Sequence, residues 1–352
     1  MSWTQKTLGE IVNLKRGFDL PSSSRVDGPY PVFSSSGQTG THSEAAVKGP
    51  CVVTGRYGTI GQVFFSDAAC WPLNTSLYST DFKGNDPKFV YYLLKTIPWR
   101  DYLTASAVPG INRNHVHLCP VCVPDHETQT AISGVLVLLD NKIELNAKLN
   151  GYLVKACDVL YSNYTAGEQA AEWPMGTLED LLEIRYGKDH KKLNDGNIPV
   201  YGSGGYMRSV DRFLYSGESV LVPRKGSLNN VMYVREKFWT VDTMFYAVPK
   251  SPNVAKYAYQ FIKRLDLASM NSGSAVPSMT TKILNALPVP IPPKESLHAF
   301  DDRLQPYYSA ICANAIENEL LAALRDALLP KLMSGEIDVS KVNLTQLNSH
   351  LV

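Results

Sequence analysis

The chain of 352 residues has no apolar run approaching the length of a membrane span, and its first residues, MSWTQKTLGE, lack the basic start and apolar stretch of a secretory signal. A cytoplasmic location is therefore expected. Net charge is almost absent too, with 34 Lys and Arg against 33 Asp and Glu, divided 14 and 14 over residues 1–168 and 20 and 19 over 169–352. Bulk attraction to a polyanion is excluded, so any nucleic-acid surface must be local. The six cysteines show no disulfide framework and fit a reducing compartment.

Catalytic signatures are missing as well. There is no Asp/Asn-Pro-Pro-aromatic methyltransferase motif, no GxxxxGK[ST] phosphate loop and no GxSxG elbow, and Gly55, Gly58 and Gly61 fit neither common nucleotide fingerprint. The cluster His115, His117, Cys119 and Cys122 has ligand chemistry suited to zinc. Taken as a strand, it would place the first three on one face and Cys122 on the other. No metal is expected, because the corresponding residues of the repeat described next are Ile283, Asn285, Leu287 and Pro290.

What the chain does have is itself, twice. A shift of 168 residues lays Ser106-Ala107-Val108-Pro109 on Ser274-Ala275-Val276-Pro277, Arg56 and Gly58 on Arg224 and Gly226, Thr75 on Thr243, Tyr78 on Tyr246, and Asn146 on Asn314. Near the start the shift is 170, matching Trp3, Thr7, Leu8 and Gly17 to Trp173, Thr177, Leu178 and Gly187. A period this long is a duplicated domain rather than a solenoid. Two similar modules should read two similar things.

Within each copy a mixed region precedes a long helix, so the expected fold class is α+β. Short β-branched or aromatic runs (Val52-Val53-Thr54, Val63-Phe64-Phe65, Leu77-Tyr78) alternate with Gly, Ser, Pro and Asn clusters, and a helix is expected at Lys88 to Thr96. The modules are read as 1–124 and 166–292, the helices as 125–165 and 293–335, and the tail as 336–352. Ile132, Leu136, Leu139, Ile143, Asn146, Asn150, Leu153, Cys157 and Leu160 recur at steps of four and three, the seam of a coiled coil. The second copy supplies Phe300, Leu304, Tyr307, Ile311, Asn314, Asn318, Leu321, Arg325 and Leu328. Pro306 is expected to kink or delay that helix.

About 35 helical residues make a rod near 50 Å long. Packed antiparallel, the two rods would separate the modules with approximate two-fold symmetry. With the seam centred on Asn146, Ile132 should approach Leu328, Leu160 should approach Phe300, and Asn146 should meet Asn314. The alternative is a helix rotated to use Leu145 and Leu149, with the asparagines facing solvent.

This order, together with GRYGTIG at 55–61, SAVPGIN at 106–112, PVCVPDHETQTAI at 120–132 and LRDALLPKLMSGEI at 324–337, resembles the specificity subunit of type I restriction-modification systems. The family's adjacent Glu-Gln after the proline run is replaced here by Glu127-Thr128-Gln129 and Glu295-Ser296-Leu297. The resemblance implies two target-recognition domains, each reading one half of a bipartite double-stranded DNA target, with the helices setting the gap and docking two adenine-methyltransferase (modification) subunits. Restriction and translocase subunits would join through the complex. It further implies a non-catalytic chain with no cofactor of its own, S-adenosylmethionine residing on the partner. A type IIB-like specificity subunit and a coiled-coil scaffold that does not touch DNA are the other readings.

For DNA contact the residues suggest Lys15, Arg16 and Arg25 in the first copy and Arg185, Lys188, His190, Lys191 and Lys192 in the second, basic clusters around the loop after the first glycine. Arg56-Tyr57 and Arg224-Lys225 lie in corresponding turns, where the arginine either contacts phosphate or guanine or braces the turn. Ser35 and Gln38, with Ser34, Ser36 and Thr39 beside them, and Ser203, Tyr206 and Tyr201 opposite, offer hydrogen bonds to bases, as do Asn112, Arg113 and Asn114.

Overall fold

In the computed structural model the described residues are 3–104, 109–270, 278–342, Thr345, Gln346 and Ser349. The repeated Ser-Ala-Val-Pro stretch lies outside them except for Pro109. The chain forms two compact units, one comprising 1–147 and 315–352 and the other 148–314. Each unit contains one mixed module and one half of each long helix.

Local signals build both modules the same way. In the first, Thr7 caps a helical turn (Leu8–Ile11), its backbone N–H donating to the Glu10 carboxylate at 2.7 Å; in the second, Thr177 does the same with Asp180, also at 2.7 Å. The entry strand Trp3–Thr7 pairs antiparallel with Pro120–Pro124, and Met175–Thr177 pairs with Pro288–Pro290. The expected strands appear at Cys51–Gly55, Val63–Ser66 and Ser76–Asp81, and the expected helix at Pro87–Thr96. The copies differ in one respect. In the second, a single strand, Met232–Thr240, joins six strands into one sheet. In the first, the equivalent stretch breaks into Val63–Ser66 and Trp71–Pro72, leaving sheets of four and three strands. The parallel pairing of Val32 with Trp71 is nonetheless reproduced by Val200 with Trp239, so the chain path is conserved across the break.

The long helices run His126–Ala166 and Lys294–Met333, 41 and 40 residues. Neither module closes its core without them. Ile132, Leu136 and Leu332 are buried among Leu8, Leu14 and Phe89 in the first unit, where Leu328 also packs. Cys157, Tyr161, Phe300 and Leu304 are buried among Leu178, Phe245 and Tyr257 in the second, where Leu160 also packs. Leu139 and Leu321 are buried, whereas Ile143, Leu153 and Ile311 are half-buried. The second helix starts at Lys294 and continues through Pro306, so the proline does not delay it. Pro306 is solvent-exposed, so water can satisfy the carbonyl that its missing N–H leaves free.

The seam asparagines face inward, Asn146 being only 2 % exposed, while Leu145 and Leu149 are 51 % and 43 % exposed. Their pairing differs from the sequence expectation by one helical turn. Asn146 does not meet Asn314; its Nδ2 donates to Asn318 Oδ1 at 2.9 Å and to Glu317 Oε2 at 2.6 Å. Asn314 Nδ2 donates to Asn150 Oδ1 at 2.8 Å. The outer amides are also tied, Asn318 Nδ2 to the Ile143 carbonyl at 3.1 Å and Asn150 Nδ2 to that of Ile311 at 3.2 Å. The two sets repeat each other at a shift of 168. This offset gives all four amides partners, where a buried amide left without one would cost about 1–3 kcal/mol.

One ion pair of the second unit is deeply enclosed. Lys256, 1 % exposed, places Nζ 2.8 Å from Asp301 on the long helix and 3.4 Å from Glu218. Its counterpart in the first copy, Lys88, instead reaches the exposed Asp67. Lys256→Met should destabilise the second unit by about 3–5 kcal/mol, since it strands a shielded carboxylate, and the double change Lys256→Met, Asp301→Leu should recover much of that loss. Denaturant unfolding checks this; an unchanged midpoint for the single variant would show that the pair carries no weight.

Candidate nucleic-acid interface

The corresponding arginine turns are held by the same backbone bonds in both copies. Arg56 and Tyr57 both donate N–H to the Thr75 carbonyl, at 2.9 and 3.1 Å, and Arg224 and Lys225 both donate to Thr243, at 2.8 and 3.2 Å. The Arg56 carbonyl accepts from Ile111 at 3.0 Å, and that of Arg224 from Met279 at 2.8 Å. Gly58 and Gly226 then turn the chain at φ +74° and +86°, a region side chains disfavour. The tip of the neighbouring hairpin lies over each glycine. An added Cβ on Gly226 would stand 2.7 Å from Ser203 Oγ, and one on Gly58 would stand 3.4 Å from Ser35 Oγ. Bracing is thus done by the arginine backbone, which leaves the guanidinium largely free. That of Arg56 rests 4.5 Å over the Tyr57 ring; that of Arg224 lies 5.5 Å over Tyr186 and donates to the Asp242 carbonyl at 3.3 Å.

In the first unit this turn opens onto a cleft of about 670 Å³ that gathers Lys15, Arg16, Arg56, Tyr57, Asn112, Arg113 and Asn114, seven of the residues singled out from sequence. Phe18, Asp19 and Thr104 also line it. Among the described lining residues Asp19 is the only acid, 3.7 Å from Arg16 with both side chains exposed, so the pair is largely screened. A neutral chain has concentrated four cations on one concave surface. Asn112 caps the short helix Arg113–Val116, its Oδ1 accepting from the Asn114 N–H at 3.0 Å, and so fixes where Arg113 projects.

Other expected contacts are placed elsewhere. Arg25 donates to the Thr39 carbonyl at 3.3 Å and lies outside the cleft lining. Gln38 lines a separate depression of about 430 Å³ with Phe64, Lys88 and Asp140. In a hairpin, neighbours project to opposite faces, which separates Gln38 from the tip. Ser34 and Ser36 bond each other at 3.0 Å, and Thr39 bonds the Val32 carbonyl at 3.4 Å.

The second copy presents the same frame with different side chains. Arg185 is committed to a two-point pair with Glu183 at 2.8 and 2.7 Å, which raises its already high pKa and spends its charge locally. Sequence alone read it as a free cation. Lys188, Lys191 and Lys192 are exposed, Lys225 likewise, and the Lys188 carbonyl takes the Trp239 indole N–H at 2.8 Å. Tyr206 is exposed with its hydroxyl 3.1 Å from Ser209, whereas Tyr201 donates to Glu236 at 2.6 Å. Lys282 was missed. It is exposed on the short helix Thr281–Asn285, capped by Thr280 as Asn112 caps its own, and the 168 shift onto Asn114 would have found it.

The histidine-cysteine cluster is not the strand supposed above. Residues 113–116 form a helical turn, and His117 accepts the Leu14 N–H on Nε2 at 3.0 Å, with burial lowering its pKa. Cys119 is buried and Cys122 exposed. No group of three or more potential metal ligands occurs among the described residues, and no helix among them is long and apolar enough to cross a membrane.

Comparison with known proteins places these features. The family model described as the type I restriction modification DNA specificity domain matches residues 1–153 and again 170–324. The type I restriction enzyme MjaIX specificity subunit of Methanocaldococcus jannaschii is 24 % identical over 72 % of this chain and 70 % of its own. The HindI specificity subunit of Haemophilus influenzae is 21 % identical over 95 % of this chain and 99 % of its own. The crystal structure of a type I restriction-modification S subunit from M. genitalium superposes with a TM-score of 0.64 at 19 % identity, covering 94 % of this chain and 96 % of that one.

Proposed function

Since the chain belongs to the family of type I restriction-modification DNA specificity domains, we propose that it is the DNA-recognition subunit of such a complex, each module reading one half of a bipartite double-stranded target. The duplicated arginine turn carries this reading: the same clamp displays a guanidinium in both copies, and in the first it opens onto the basic cleft. Lys15, Arg56 and Arg224, with Lys188, Lys191, Lys192 and Lys225, serve as phosphate contacts that orient each module. The chain itself is non-catalytic and works in the cytoplasm. S-adenosylmethionine and the methyl-transfer chemistry belong to two modification subunits, with restriction and translocase subunits joining through them. The family match and the specificity-subunit names of the relatives weigh against a scaffold that does not touch DNA.

The long helices supply the gap and the dock. A helix of about 40 residues spans about 60 Å, enough to bridge half-sites one DNA turn, about 34 Å, apart. Each helix also bears apolar side chains that its seam does not use: Leu149, Tyr152 and Val159 on the first, Ile316, Leu320 and Leu324 on the second, all more than 40 % exposed. These stripes are where modification subunits dock.

Arg56→Gln should weaken DNA binding of the assembled complex equally for all sequences and reduce the slope of log affinity against log salt by about one. Equilibrium binding over a salt series measures this, and a sequence-selective loss would reassign Arg56 to base reading. Exchanging residues 1–124 for those of a relative should change one half of the methylated motif and spare the other. Alteration of both halves would show that recognition is not divided between the modules.

A further inference from the structure

The chain carries its own control for separating positioning from sequence reading, because one scaffold is furnished twice with different side chains. Whatever both copies share cannot tell two half-sites apart. The arginine turn is shared down to its backbone bonds, and the short helix beside it is capped by a side chain in each copy, Asn112 accepting from the Asn114 N–H in one and Thr280 from the Ile283 N–H in the other. The residues immediately after the cap are not. Arg113 and Asn114 in the first copy correspond to Thr281 and Lys282 in the second.

Resting on the DNA-reading function above, we propose that Arg113 is the specificity-determining residue of the first half-site, reading a guanine edge through its O6 and N7. Arg113 lines the basic cleft and is exposed, and no carboxylate among the described residues pairs with it. Its helix is anchored on every side. Val116 is fully buried, His117 bonds the Leu14 backbone, and Ile111 bonds the carbonyl of Arg56. The guanidinium is therefore mounted on a rigid element and held in register with the turn that grips phosphate. Its planar fork of donors matches the two acceptors that guanine offers in the major groove, which no other base pair presents together. Arg56, by contrast, is stacked on Tyr57.

The test uses the chain assembled with its modification subunits and a duplex library randomised through both half-sites, with bound sequences selected and read. For Arg113→Gln the preference for guanine at one position of one half-site should fall about tenfold or more, every other position staying as in the parent. The triple exchange Asn112→Thr, Arg113→Thr, Asn114→Lys, which keeps a capping residue, should carry that position toward the base selected at the matching point of the other half-site. A motif unchanged by Arg113→Gln, whether affinity holds or falls uniformly, would overturn the assignment while leaving two-module recognition intact. Failure of the parent complex to select any bipartite motif would overturn the DNA reading and this inference with it.

Discussion

Each module depends on apolar surface that it does not itself supply. The strands and short helices of the first enclose Leu8, Leu14 and Phe89 only when Ile132, Leu136 and Leu332 of the long helices are added; the second relies on Cys157, Tyr161, Phe300 and Leu304 in the same way. Fully burying side chains of this size stabilises by about 1.5–3 kcal/mol apiece, so the helices are integral to each fold rather than attached to it. A surface that must hold a base-reading residue to within a fraction of an ångström gains from being built on such a core.

Between those apolar ends the seam becomes polar, and the division of labour is physical. Leucine and phenylalanine supply stability near the modules, while the asparagines supply direction: four amides satisfied in two matching sets accept one register and reject a slip of a turn. The leucines beside them stay exposed, because the inward face is already taken.

Much of this was legible in the sequence, and what escaped it has a common cause. The 168-residue period located both copies of the Arg56 and Arg224 turn, and the heptad spacing identified the inward face of both helices. The exact pairing of Asn146 escaped because a seam defines which residues face inward but not how far the partner slides along it. Arg185 and Gln38 escaped because sequence reports a charge or an amide without reporting that Glu183 answers it or that the chain's pleat turns it aside. The seven residues collected in one cleft show the converse. Lys15, Arg56 and Arg113 lie far apart along the chain, and their common location appeared only when the fold brought them together.

Charge decides the remaining question, because a chain of net charge +1 has no bulk attraction to DNA and must place its cations well. The central claim, that one duplicated surface is used twice on one target, is tested most directly by mapping methylated adenines across the genome of cells that express the chain with its modification partner. Two short defined half-sites separated by a gap of constant length and free sequence are predicted. A single continuous motif, or half-sites at variable spacing, would contradict the account.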